Sequence, residues 1–151
     1  MNKVSKRKEI VDHLIELKEN EIKALEESYK IFAESADLDE ESVLQDDDFS
    51  KQDQSNNSAI NILHRIELAK ENLENFKQAG HLLVDEITNG SVVLTNKINF
   101  VIGLAIKDFL YKDEKYVGIS MDAPIFTELQ FKKEGDTFTF TNTEYTIKEI
   151  L

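Results

Sequence analysis

Between Asp37 and Asp48 the chain carries Asp37, Asp39, Glu40, Glu41, Asp46, Asp47 and Asp48 with no basic residue among them, and Asp53 follows shortly after. Carboxylates at that density are hard oxygen donors. The run Asp46-Asp47-Asp48 suits Mg²⁺, which typically takes one or two protein carboxylates and completes its shell with water and with phosphates from another molecule. The spacing does not fit a calcium loop, which needs glycine at its sixth position and glutamate at its twelfth. The plain alternative is a solvated acidic turn in which Asp46 to Asp48 or Ser50 caps a following helix and favours its dipole.

Other chemistry is sparse. His13, His64 and His81 are scattered, and no two have the four-residue spacing that sets paired ligands on one helical face. Ser35, Ser42, Ser50, Ser55 and Ser58 have no histidine in a motif that would activate a nucleophile. The five glycines form no phosphate-binding loop. The chain has no cysteine, so disulfides, thiolate zinc sites and cysteine nucleophiles are excluded. Thirty acidic against eighteen basic residues give a net charge of -12, which repels a phosphate backbone and argues against autonomous nucleic-acid binding. The N-terminal Lys3, Lys6, Arg7 and Lys8 read as a solvated basic terminus. No window approaches the roughly 20 apolar residues of a membrane span, so the expectation is a soluble, cytoplasmic protein.

The elements that would position the acidic run come from two different periods. Over 9–36, Val11, Ile15, Ile22, Leu25, Tyr29, Phe32 and Ala36 make a 3,4-spaced stripe interrupted by Lys18. Ala59, Ile62, Ile66, Ala69, Leu73, Phe76, Gly80 and Leu83 repeat the pattern without a gap, with Gly80 placed to end the helix. Two such helices pair antiparallel to bury both seams, giving arms of roughly 40 Å with the acidic turn, about residues 37–53, where the chain reverses. Beyond Gly80 the period becomes two, with strands expected at 91–96, 99–106, 115–120, 137–141 and 144–150. Turns are expected at Asp113-Glu114 and Asn142-Thr143, and a short helix at about 124–130 opened by Pro124. The expected class is α+β: a coiled-coil hairpin over 1–84, then a small antiparallel sheet domain over 85–151.

This pattern resembles the Gre-type transcription elongation factors (the GreA/GreB family), which join a coiled-coil hairpin to an FKBP-like domain. Gly90-Ser91-Val92-Val93 resembles the family's strand opening, and Ile119-Ser120-Met121-Asp122-Ala123-Pro124-Ile125 its "ISxxSPI" segment. Lys132-Lys133-Glu134-Gly135-Asp136 resembles the "GKKxGD" turn and Tyr145-Thr146-Ile147 the closing strand. Thr95-Asn96 through Phe100-Val101-Ile102 is similar to a "TNxxxFxI" stretch of short Gre-like proteins of the Bacteroidetes lineage.

The resemblance implies a monomer that docks its C-terminal domain on the rim of the RNA polymerase secondary channel and inserts the hairpin tip. Ser120, Asp122, Pro124 and Ile125 are the implied docking residues, and Phe131 is a further docking candidate from its own residue type. In cleavage-promoting members two tip carboxylates help to hold a Mg²⁺ shared with the polymerase active centre, so that backtracked RNA is hydrolysed. The factor is then no enzyme by itself and binds no cofactor stably. Asp48 and Ser50 align with the tip motif "DLSE", but Lys51 stands where the second acid belongs, leaving Asp46 and Asp47 as substitutes. The resemblance therefore supports channel insertion more than cleavage, and a non-cleaving inhibitor or modulator is the neighbouring reading. A coiled-coil interaction module and an FKBP-like prolyl isomerase are the readings from other classes. Phe131 stands where the family has glycine; the expectation is that it packs in the core, whereas an exposed Phe131 would be an interaction handle.

Overall fold

Ala59, Ile62, Ile66, Ala69, Leu73 and Phe76 are all buried while the residues between them are exposed, so the 3,4 spacing of the second helix is realised over 59–76; Gly80 and Leu83 of the expected stripe lie outside the described residues. A computed structural model describes the backbone at residues 2–41, 46–79 and 86–151, and the side chains of those residues apart from 35–57 and 79. The elements are α1 (Lys3–Glu41), α2 (Asp46–Ala79), β1 (Val92–Thr95), β2 (Asn99–Ile102), β3 (Ile106–Tyr111), β4 (Glu114–Ile119), α3 (Pro124–Leu129), β5 (Thr137–Phe140) and β6 (Thr143–Ile150). The class is α+β, a helical hairpin with a six-stranded sheet.

The first helix begins earlier than its stripe suggested. Asn2 Oδ1 accepts a hydrogen bond from the Ser5 amide at 2.8 Å, an N-cap that starts the helix at Lys3 instead of at about residue 9. Near this end the most buried positions are Arg7, Ile10 and Leu14, one residue before the expected Val11 and Ile15, which are half-buried. Phe32, expected in the seam, is 39% exposed.

The chain forms two compact units, one of residues 17–72 and the other of 1–16 with 73–151. The division expected at 84/85 falls outside the described residues; the start of α1 and the end of α2 belong to the unit of the sheet. In the unit of 17–72, Ile22, Ala59, Ile62, Ile66 and Ala69 are buried, and Lys70 Nζ crosses to Glu26 Oε1 at 3.2 Å. Lys18 keeps its place in the stripe at 8% exposure, its Nζ reaching Glu21 Oε2 at 3.3 Å. Its stem lies along the helix while its charge reaches the exposed carboxylate.

In the other unit the strand order is β3-β4-β2-β1-β6-β5, antiparallel except for the β2–β4 pair, which is parallel. The expected strand 99–106 is two strands, because Gly103 adopts φ 114 and the chain reverses there. A Cβ at Gly103 would lie 1.9 Å from Asn89 Oδ1 and 3.1 Å from a Phe76 ring carbon, so this glycine both turns the chain and lets α2 approach it. The resulting β3–β4 hairpin returns β4 alongside β2, Asn99 pairing with Tyr116 and Ile102 with Ile119. Its two-residue turn is Lys112-Asp113, both at positive φ, between the paired Tyr111 and Glu114; the β5–β6 turn is likewise Thr141-Asn142. Each lies one residue before the position expected from the sequence, and each has the backbone that suits right-handed strand twist.

Both faces of β1 and β2 are buried. Val93, Phe100, Ile102, Ile119 and Ile147 form one core with Ile125, Phe126 and Leu129 of α3 and with Phe138 and Tyr145, whose rings stack at 5.0 Å. Val92, Val101 and Tyr116 alternate to the opposite face, where His13 of α1 lies 5.6 Å from the Phe109 ring and 4.9 Å from that of Tyr111.

Two substitutions probe these two units. Gly118→Ala would place a Cβ 2.2 Å from the Leu104 carbonyl oxygen and 2.6 Å from Ile106 Cγ2, and is expected to cost at least about 2 kcal/mol in urea unfolding. Lys18→Leu, which completes the apolar stripe, is expected to raise the stability of the hairpin by about 1 kcal/mol, read from the same transition followed by helical circular dichroism.

Candidate partner-binding site

The residues implied in docking fall on one continuous stretch from the end of β4 through α3 to the turn that follows. Ser120 and Ala123 form a tight turn, the Ala123 amide donating to the Ser120 carbonyl at 3.1 Å. Pro124 opens α3, where its missing N–H costs nothing. Asp122 and Pro124 are exposed and Ser120 is half-buried. Ile125 is not available for docking. At 6% exposure it belongs to the core with Phe126 and Leu129, because α3 turns that side onto the sheet.

Phe131 takes the opposite role, 82% exposed where a core position was expected. The cause is local. The Lys132 amide donates to the Leu129 carbonyl at 3.0 Å, Gln130 has φ -53 and ψ 132, and Phe131 has φ 74. That is a type II β-turn with Phe131 at its third position, the position that requires positive φ and favours glycine. The turn swings the ring away from the face of α3 that packs on the sheet. Next, the Lys133 amide donates to Asp136 Oδ2 at 2.8 Å and the Asp136 amide to the Lys133 carbonyl at 3.0 Å, closing a second turn through Gly135 at φ 91.

The acidic run lies on helix ends. Asp37, Asp39, Glu40 and Glu41 occupy the end of α1, and Asp46, Asp47 and Asp48 form the first turn of α2. The expected acidic turn over 37–53 is thus helical except for residues 42–45, which lie outside the described residues, as do the side chains of Asp46, Asp47, Asp48 and Lys51. The dipole of α2 favours carboxylates in its first turn, while that of α1 disfavours them in its last. Among the described residues no group of three or more His, Cys, Asp or Glu gathers as a metal site.

No family model, curated protein or solved structure matches the chain. The site is therefore read from its own chemistry. No helix among the described residues is long and apolar enough to cross a membrane.

A second feature was not foreseen from the sequence: a half-open cleft of about 400 Å³ lined by Lys6, Glu9, Ile10, Tyr111, Lys112, Glu114 and Tyr116. Its charges answer one another. Glu9 Oε2 accepts from Lys112 Nζ at 3.0 Å and from Tyr111 Oη at 3.2 Å, and Glu114 Oε2 accepts from Asn99 Nδ2 at 3.0 Å and from Tyr116 Oη at 3.2 Å. Lys6 reaches Glu149 at 3.4 Å, and Lys3 pairs with Glu134. The bond from Lys112 holds the Glu9 carboxyl below its ordinary range, and the same bond raises the Lys112 ammonium. The bond from the Ile150 amide, helped by Lys3, lowers Glu134. These pairs fasten the start of α1 to the sheet and leave no polar group of the lining without an internal partner.

The Tyr116 phenol, 2% exposed, is pushed up to about 12, first by burial and then by the neighbouring Glu114 carboxylate. A raised value means that the folded state holds the proton more tightly than the unfolded chain, whose tyrosine titrates near 10. This stabilisation is complete below about pH 10 and is lost as pH rises towards about 12. Unfolding free energy is expected to fall by on the order of 2 kcal/mol across that window through this group, and the part of the fall due to Tyr116 is expected to vanish in Tyr116→Phe.

Proposed function

We propose that this chain is an RNA polymerase-binding transcription factor that presents the acidic helix–helix junction of its hairpin to the polymerase through the secondary channel. The observation that carries the reading is the joining of two elements in one chain. A helical hairpin places Asp46, Asp47 and Asp48 in the first turn of α2, and a six-stranded sheet unit carries the Ser120-to-Asp136 segment with its exposed Asp122, Pro124 and Phe131. The motif spacings that resemble the Gre-type factors lie in the sheet unit, and in the hairpin Asp48 and Ser50 match the tip motif.

In this reading the factor is an accessory to the polymerase active centre and contributes no complete active site. Three successive carboxylates are hard donors suited to sharing a Mg²⁺ that the polymerase holds, the ion favouring water attack on the scissile phosphate when bound. Lys51, where the family pattern has its second acid, favours a modulator that enters the channel over a strong stimulator of cleavage. The sheet unit supplies docking and the hairpin supplies placement.

Core RNA polymerase is expected to be retained on the tagged full-length chain at low salt; a chain that retains none overturns the proposal. The triple variant Asp46→Asn, Asp47→Asn, Asp48→Asn is expected to bind equally but to lose the effect on backtracked or paused complexes, at a cost to stability of no more than about 1 kcal/mol. Shortened transcripts in the wild-type reaction identify cleavage stimulation, and unshortened transcripts with altered pausing identify the modulator.

A further inference from the structure

Phe131 is disfavoured twice by the fold in which it sits. A phenylalanine at φ 74 in the third position of a type II turn takes a left-handed conformation that side-chain-bearing residues adopt only at a cost. At 82% exposure it recovers almost none of that cost by burial, whereas Ile125, Phe126 and Leu129 beside it are all in the core. Glycine would relieve the first penalty and remove the second.

The charges around the ring are unevenly used. Glu134 is engaged by the Ile150 amide and by Lys3, and Asp136 by the Lys133 amide. Lys132 and Lys133, the two residues after the ring, have no ion-pair partner among the described residues. In a chain of net charge -12, an exposed aromatic followed by two uncommitted cations is complementary to an apolar pocket with an acidic rim. Two copies of a chain of net charge -12 repel each other over most of their surfaces, so a second copy is disfavoured as the occupant. Aromatic anchors set in pockets dominate binding energy at protein interfaces, and the type II turn presents this one outward from the sheet unit.

We infer that Phe131 is a prebuilt aromatic anchor that inserts into an apolar, acid-rimmed pocket of the partner protein, with Lys132 and Lys133 meeting the rim. The inference rests on the polymerase reading above. The turn fixes the backbone and the Cα–Cβ direction of Phe131 before binding, so that little backbone freedom is lost on docking.

The test compares the full-length wild type with Phe131→Gly, Phe131→Asn and the pair Lys132→Glu, Lys133→Glu, measuring affinity for core RNA polymerase by fluorescence anisotropy and thermal midpoint by circular dichroism. Glycine and asparagine both tolerate positive φ, so both variants are expected to fold with an unchanged or raised midpoint while binding at least tenfold more weakly. The lysine pair variant is expected to bind about tenfold more weakly at low salt, the difference shrinking as salt is raised. If the wild type is retained by the polymerase and Phe131→Gly binds as well, the anchor is overturned and the polymerase reading stands. If the wild type itself does not bind, both fall. Light scattering of the free protein gives the remaining outcome: a dimer abolished by Phe131→Gly would assign the ring to a second copy and overturn the acid-rimmed pocket.

Discussion

The sheet depends on having both of its faces covered. β1 and β2 alternate side chains as every strand must, but Val92 and Val101 are as deeply buried as Val93 and Phe100, so a single layer of helix cannot satisfy them. The short helix α3 closes one face through Ile125, Phe126 and Leu129. The start of α1 is drawn to the other, where Ile10 and Leu14 are buried, His13 meets Phe109 and Tyr111, and Lys3, Lys6 and Glu9 pair with Glu134, Glu149 and Lys112. This explains the rotation of the buried stripe at that end of α1. Toward α2 it would run through Val11 and Ile15; beside a sheet it runs through Ile10 and Leu14.

The ion pairs at this junction are exposed, and pairs of that kind contribute little each. Apolar burial supplies the stability and the charges supply specificity. Asn99 is the exception, a polar residue within a buried strand that receives the Thr95 amide at 2.9 Å and donates to Glu114 at 3.0 Å. Glu114 also takes the Tyr116 hydroxyl, so the buried amide and the buried phenol converge on one surface carboxylate. A polar group placed that deep must be fully matched to be tolerated, and this one ties β1, β2 and β4 together.

How much of this was legible in the sequence differs from one element to the next. The stripe of α2 was plain because Ala59 to Phe76 keep a steady 3,4 spacing, even though Ala59 to Ala69 belong to the hairpin unit and Leu73 and Phe76 to the sheet unit. The strand 99–106 looked continuous because Gly103 sits inside an apolar run, and the approach of Phe76 and Asn89 that makes it a turn comes from distant parts of the chain. The two hairpin turns were placed one residue late because Lys112 and Thr141, which take positive φ, are not the residue types that announce it. Ile125 and Phe131 exchanged roles for a related reason. Both are apolar; the helix face of α3 buries Ile125, and the positive φ of Phe131 in the turn after α3 sends its ring outward. The acidic run was evident from composition, whereas its division between the end of one helix and the start of the next was not.

The compact unit of 17–72 is an insertion within the other unit, whose chain leaves at Glu16 and returns at Leu73. The hairpin seam repeats every seven residues, so equal numbers of heptads can be added to or removed from α1 and α2 while the sheet keeps both of its layers. Arm length could therefore change in seven-residue steps without altering the residues that cover the sheet.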